Sequence, residues 1–325
     1  MIKDKLMKLP TEDLLKLYKD MLLIRRFEEE ALIKATEGLY ANYHSGIGQE
    51  AIPAGVCHNL NSKDKTMITH RGLGVLLSRG ISTEQLFAGL YAKQSGPTRG
   101  RIPIYHMGAP DLGILSGTSM VGSVVPLAVG SALADQLEGN DNVTISFFGD
   151  GAVNRGDVHE GMNFACVRKL PIVFFCENNF FAKSTPIELS TAGGNISARA
   201  QGYGIEGYCI DGNNVITVHQ AAQKAIARAR SGKGPTLIEC ETYRWAPHST
   251  AGDREFARTD EELIKWQKKC PIARLEKKLL KNGNIDLNHI KKINQKIISD
   301  IKKAIKAAED APYAPGNIAT ENVYL

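Results

Sequence analysis

The residues with chemistry to offer sit at the ends of two apolar runs. Val143 to Phe148 supplies six strand-forming residues and leads into Gly149, Asp150 and Gly151. Pro171 to Cys176 is a second such run, and it leads into Glu177, Asn178 and Asn179. Asp150 offers a carboxylate oxygen and Asn179 an amide oxygen. Hard oxygen donors in small number suit magnesium, which keeps several waters and takes further oxygens from a bound phosphate group. Gly149 and Gly151 let the backbone come close to an anion. The amides of Gly151 and Ala152, near the start of the next helix, can donate to it. The implied chemistry is metal-assisted binding of a phosphate-bearing ligand.

A glycine-aspartate-glycine triplet alone is most often a turn. Its partner strand, with 26 residues between Gly151 and Asn178, makes the pattern specific. Val158 to Arg168 lies between the two runs at helical spacing, which completes a βαβ unit with a right-handed crossover. Both strands then end on one edge of the sheet, where open α/β sheets bind ligands. Further strands are expected at Tyr208 to Asp211 and Thr236 to Glu241, and further helices at Met120 to Leu137 and Val215 to Arg230. The fold class is therefore α/β, with a mostly parallel sheet covered by helices. Before it, residues 11–37 form a helix on the stripe Leu14, Leu17, Tyr18, Met21 and Leu22, with Gly38 as a stop. After it, Pro271 to Ala308 is lysine-rich and helical, with Ile290, Ile293, Ile297, Ile301 and Ile305 recurring every three or four residues. The expected organisation is a helical arm at 1–40, an α/β domain at 41–270 and a helical segment at 271–325.

Composition sets the outer limits. The chain has 325 residues, with 40 Lys and Arg against 35 Asp and Glu, so its net charge of +5 does not point to a nucleic-acid binder. The lysines of the last segment read as a solvated helix face. Hydrophobic residues at 43% and charged residues at 23% exclude wholesale disorder. No apolar run approaches the ~18 residues of a membrane span, and the amino terminus has no apolar signal region. Six cysteines without Cys-x-x-Cys spacing argue against a zinc site or a disulfide framework. A reduced, cytoplasmic protein is expected.

The paired strand ends resemble the thiamine diphosphate signature. The rest of the chain narrows the likeness to the alpha subunit of the 2-oxo acid dehydrogenases of pyruvate, branched-chain and acetoin type. The resemblance runs from Ile24–Glu28 through Gly252. It is carried by His44 to Ala51, Thr69 to Gly72, Gly149 to Gly151, Lys169 to Pro171, Glu177 to Asn179, Ser184 to Pro186 and Tyr243 to Ser249. Ser184 to Pro186 and Tyr243 to Trp245 look most similar to the acetoin type.

What the resemblance implies can be carried over residue by residue. Asp150, Asn179 and the carbonyl of Phe181 match magnesium ligands. Arg71, Arg244 and His248 match groups on the cofactor diphosphate, with His70 beside Arg71 in the same motif. Ser119 and Val121 match backbone contacts to the aminopyrimidine. His44 matches a histidine near the reactive ring, so His44 and His248 are the catalytic candidates. The implied activity is decarboxylation of a 2-oxo acid, or cleavage of acetoin, with transfer of the acyl unit to a lipoyl carrier. The implied partners are a beta subunit, in a complex of two alpha and two beta chains, and a lipoyl transacylase core. The glutamate that activates the cofactor ring belongs to the beta chain, and neither Glu50 nor Glu177 matches it.

Three departures bear on the substrate side: Leu73 in place of a histidine, Ile102-Pro103-Ile104 in place of small residues, and Val124 in place of a glutamine. Leu73 and Ile102 to Ile104 keep open a stand-alone thiamine-dependent carboligase. A non-catalytic phosphate- or nucleotide-binding regulator would need neither the asparagine pair nor Arg244 and His248. His106 aligns with a pyrimidine-side segment, and packing is as good an account of it. His58, His159, His219 and His289 read as structural or exposed, and Trp245 and Phe180 as packing residues.

Overall fold

The structure, a computed structural model, describes residues 9–40, 42–102, 106–252 and 258–321. Its centre is a parallel sheet of β1 (Lys65–Thr69), β2 (Ile114–Thr118), β3 (Thr144–Gly149), β4 (Ile172–Asn178), β7 (Glu206–Asp211) and β8 (Thr236–Glu241), in the order β2-β1-β3-β4-β8-β7. A short antiparallel ribbon, β5 (Phe181–Ala182) and β6 (Thr185–Pro186), follows β4. The central strands are nearly continuous apolar runs because both faces are covered. Ile145, Phe147, Val173, Phe175 and Ile238 face one cluster, with residues of α1 (Thr11–Thr36), α2 (Ala51–Cys57) and α8 (Val215–Arg230). Phe148, Ile172, Phe174 and Leu237 alternate to the other face, under α5 (Val124–Leu137) and α6 (Gly156–Arg168).

The chain leaves β1 toward β2 on one side and returns to β3 on the other. The carboxyl ends of β1 and β3 thus flank a topological switch point, the usual place for a ligand crevice. The expected βαβ unit is present, with Gly149 in register with Glu177. β1 and β2 are additional to the strands read from sequence. Lys65–Thr69 and Ile114–Thr118 are five residues each, and lysine, serine and glycine interrupt their apolar character, so their signal is weak. The short helices α3 (Leu73–Ser78) and α4 (Thr83–Leu90) lie between them. α5 starts at Val124 rather than Met120, because Gly122 at φ +91° departs from helical geometry and leaves the preceding residues as a loop. α7 (Ile187–Ser190) follows the ribbon, and α9 (Asp260–Gln267) leads into the last segment.

That last segment is two helices, α10 (Pro271–Lys281) and α11 (Leu287–Asp310), broken where Gly283 takes φ +67°. Leu275, Leu279, Ile301 and Ile305 join the same cluster as Leu17 and Met21 of α1. Tyr18 donates to Glu276 at 2.8 Å and Arg26 to Asn294 at 2.9 Å. Lys291, Lys292, Lys296, Lys302, Lys303 and Lys306 are all exposed, which is the solvated face expected from sequence. Among the described residues no helix is long and apolar enough to cross a membrane.

Candidate active site

A cleft of about 620 Å³ opens at the carboxyl ends of the strands, and each residue singled out from sequence as catalytic, cofactor-binding or metal-binding lines it. Asp150 follows β3 and Asn179 follows β4, both buried. Asp150 Oδ2 and Asn179 Oδ1 are buried acceptors with no donor. The asparagine pair divides its work. Asn178 donates to Glu239 at 2.7 Å and accepts from the amide of Phe180 at 3.0 Å, which holds a turn that puts Phe180 at φ +68°. Asn179 donates to Gln49 Oε1 at 3.3 Å, which leaves its Oδ1 for the cleft. Gln49, inside the His44 to Ala51 motif, lines the cleft, and that motif is the one sequence signal of its part in the site. Phe181 lines the cleft from β5.

Two details of the glycine loop differ from expectation. Asp150–Ala152 form a 3₁₀ turn and α6 begins only at Gly156, so the amides of Gly151 and Ala152 do not start the long helix. Gly151 is small because a Cβ there would meet Ala182 Cβ at 2.9 Å.

The cleft is built for negative charge. Arg71, at the end of β1, is buried and donates to the Ser45 carbonyl at 2.5 Å and the His248 carbonyl at 3.4 Å. Arg244, at the end of β8, is 1% exposed and donates to the Lys183 carbonyl at 2.7 Å. The ring centroids of His44, His70 and His248 lie 4.6 Å (His44–His70), 4.8 Å (His44–His248) and 5.8 Å (His70–His248) apart. Burial, with the charges of Arg71, His44, His248 and Arg244, holds His70 well below the usual histidine range, so it is neutral at pH 7. Burial pushes Asp150 up to about 6 against its own backbone amide and Arg244, and pushes Glu177 up to about 7 against Arg71. Ser119 Oγ lies 3.0 Å from His106 Nε2, which gives His106 a place behind the rim loop.

The remaining expectations sort by location. Leu73 is 3% exposed, belongs to the main core cluster and does not line the cleft, so its departure from the family pattern acts in the core and not on the substrate side. Val124 does line the cleft. Ile102 is exposed, and Pro103 and Ile104 lie outside the described residues. Glu50 is fully buried against Arg25 Nε at 2.6 Å and the Gly48 amide at 2.8 Å, away from the cleft. The Arg25 guanidinium lies over Trp245 at 4.1 Å, and Phe180 packs on Trp266 at 5.6 Å, so both aromatics are packing residues. His58 and His219 pair with Asp13 and Asn59.

Residues 19–316 match the family described as the dehydrogenase E1 component. The chain belongs to this family. It is 36% identical over 318 residues to the alpha subunit of acetoin:2,6-dichlorophenolindophenol oxidoreductase of Bacillus subtilis, covering 98% of this chain and 95% of that one. It is 37% identical over 318 residues to the alpha subunit of 2-oxoisovalerate dehydrogenase of the same organism, covering 97% and 96%. It is 34% identical over 302 residues to the alpha subunit of the pyruvate dehydrogenase E1 component of Rhizobium meliloti, covering 93% and 87%.

As a dehydrogenase E1 alpha subunit, the chain is part of a thiamine diphosphate-dependent 2-oxo acid dehydrogenase and has a beta subunit as partner. Membership favours this reading over the carboligase and the regulator. The residues fit the cofactor. Two buried acceptors without donors meet the need of a cation, and two buried guanidinium groups meet the need of a diphosphate.

Proposed function

We propose that this chain supplies the metal- and diphosphate-binding half of the dehydrogenase site. Asp150, Asn179 and the Phe181 carbonyl would hold magnesium, and Arg71, Arg244 and His248 the diphosphate. The observation that carries this reading is the pair of donorless oxygens, Asp150 Oδ2 and Asn179 Oδ1, buried at adjacent strand ends. A buried acceptor left without a partner is costly, and a cation relieves both at once. Ser119 and Val121 would face the aminopyrimidine with their backbone. His44 would stand beside the reacting substrate and hold or pass a proton. When bound, thiamine diphosphate supplies the electron sink that lets a 2-oxo acid lose carbon dioxide. The substrate is a small 2-oxo acid or an acyloin, in line with the names of the relatives, and the acyl unit passes to a lipoyl group on a transacylase core.

The beta chain would close the open side of the cleft, in an assembly of two alpha and two beta chains. Met120 and Val121 at the rim are 66% and 46% exposed. α5 and α6, which pack together, expose Leu127, Phe164 and Val167. These exposed apolar side chains are where the beta chain would pack. Among the described residues the carboxylates lining the cleft are Asp150 and Glu177, and both sit at the strand ends beside the proposed metal. The carboxylate that activates the pyrimidine ring would therefore come from the partner.

The test is calorimetric titration of the assembled enzyme with thiamine diphosphate, with magnesium and with chelator. Asp150→Ala is expected to abolish the magnesium-dependent part while the assembly survives. Wild-type affinity in Asp150→Ala would remove the metal assignment.

A further inference from the structure

Glu28 lies on α1, outside every motif given a role above, and it is fully buried. Its Oε2 accepts from the Tyr43 hydroxyl at 2.6 Å and from the Gly46 amide at 3.0 Å. Those two donors bracket His44 and Ser45. The loop is pressed against the carboxylate so closely that a Cβ at Gly46 would stand 3.0 Å from Glu28 Oε1. Tyr43 is also tied to the other histidine loop. Its amide donates to Thr250 Oγ1 at 3.0 Å, and its carbonyl accepts from the Thr250 amide at 3.0 Å, two residues beyond His248. Arg71 adds the last tie by donating to the carbonyls of Ser45 and His248.

The base of this lattice is rigid. Leu17, Tyr18, Met21, Ile24 and Phe27 of α1 are all buried in the main core. We infer that Glu28 is a positioning residue: through Tyr43 and Gly46 it fixes His44, and through Tyr43 and Thr250 it fixes His248, relative to the core and so to each other. The contact of the two rings, 4.8 Å between centroids, is the geometry so maintained. Glutamate suits the task because one oxygen accepts two hydrogen bonds. Glutamine keeps that acceptor, and alanine does not.

This inference rests on the proposed role of His44 only for its effect on turnover, so its primary test does not need turnover. The assembled enzyme without cofactor is treated with diethylpyrocarbonate, and modification of His44 and His248 is followed by peptide mass spectrometry. Loss of the anchor is expected to raise the modification rate of His44 by about five- to tenfold in Glu28→Ala, the weight of one to two hydrogen bonds. Tyr43→Phe, which preserves packing if Glu28→Ala fails to assemble, is expected to raise it less. Glu28→Gln is expected to restore the wild-type rate. The double variant Glu28→Ala/Tyr43→Phe should match Glu28→Ala, because both lose one shared contact.

Turnover is the second readout. Where His44 takes part in the reaction, kcat falls in parallel with the labelling change while KM moves less. Changed labelling with unchanged kcat supports the anchor and overturns the role of His44. Unchanged labelling in Glu28→Ala and in Tyr43→Phe overturns the inference.

Discussion

Gly48 is where the two loops of the site cross, and Gly48→Ala should damage both stability and cofactor binding. Gly48 takes φ +99°, where an L-residue is strained by about 1–3 kcal/mol. A Cβ there would also stand 2.5 Å from Trp245 Cδ1 and 2.5 Å from the Tyr243 carbonyl oxygen. Comfortable contact needs about 3.5 Å, so the segment Tyr243 to Trp245 has to retreat by about 1 Å, an overpacking cost of about 1–3 kcal/mol. Trp245 cannot rotate away cheaply, since the Arg25 guanidinium covers its ring and its amide donates to the Ile47 carbonyl. The sum is about 2–6 kcal/mol, or a fall of about 0.7–2 M in the urea midpoint for a slope of about 3 kcal/mol/M.

Arg244 lies between Tyr243 and Trp245 and would move with them. Thiamine diphosphate affinity should fall along with stability. The assay is urea denaturation and calorimetric cofactor titration of the assembled enzyme at one protein concentration. Gly38→Ala is the control: Gly38 has φ +85° and nothing within 4 Å of the added Cβ, so it reports backbone strain alone. If Gly48→Ala costs no more than Gly38→Ala and leaves cofactor affinity unchanged, the crowding argument is refuted.

Arg244→Lys keeps the charge but loses the planar fork, and should weaken thiamine diphosphate binding by about 10- to 100-fold in calorimetry. Arg230→Ala strips fully buried Asp64 of the Arg230 Nη2 donor, which reaches its two oxygens at 2.8 and 3.0 Å. It should cost about 3 kcal/mol in denaturant titration, at the low end for a broken buried pair because the amides of Val143 and Asn61 still donate to Asp64. Glu28 is pushed by burial from 4.5 up to about 7, against Tyr43, Gly46, Arg71 and Ser45. A carboxyl raised in the folded state binds its proton more tightly there than in the unfolded chain. Its contribution to stability is complete below pH 4.5 and is lost as pH rises to 7, a span of about 3 kcal/mol. Glu28→Gln should flatten the pH dependence of the urea midpoint across that window, and an unchanged slope would assign it to other groups.

The site was legible where a short sequence pattern carries its own geometry. Gly149 to Gly151 and Glu177 to Asn179 each follow a strongly apolar run, so strand ends and site residues are read together. The parallel placement of β3 beside β4 then follows from βαβ topology. The helices α1, α6 and α8 were legible from apolar spacing. What escaped was structure that depends on tertiary contacts. β1 has strand-forming Thr66, Ile68 and Thr69, but it is only five residues long, and what sets it as a central strand is the burial of Thr66, Met67 and Ile68 between β2 and β3. The loop before α5 looked helical because Met120, Val121 and Val124 fit the spacing, and the positive φ of Gly122 overrides it. Leu73 looked like a change in the site because its motif neighbour Arg71 is in it. Two residues on, Leu73 opens α3 and its side chain belongs to the core. Glu28 stands at the start of the family resemblance, but its role exists only once α1 lies against the loop at residues 43–46.

Helix α1 has a further consequence, in the time taken to make the protein. Its apolar stripe is completed by α10 and α11, and the Tyr18–Glu276 and Arg26–Asn294 hydrogen bonds join residues 258 and 268 positions apart. During synthesis at about 5–20 residues per second, α1 emerges roughly 15–60 s before the helices that cover it. Through that interval Leu17, Met21 and their neighbours lack their final partners, and the nascent chain presents an apolar helix face to whatever it meets. Late truncation should therefore expose the face of the first helix, and a ribosome stalled near residue 270 should hold a chain that attracts chaperones through its amino-terminal segment.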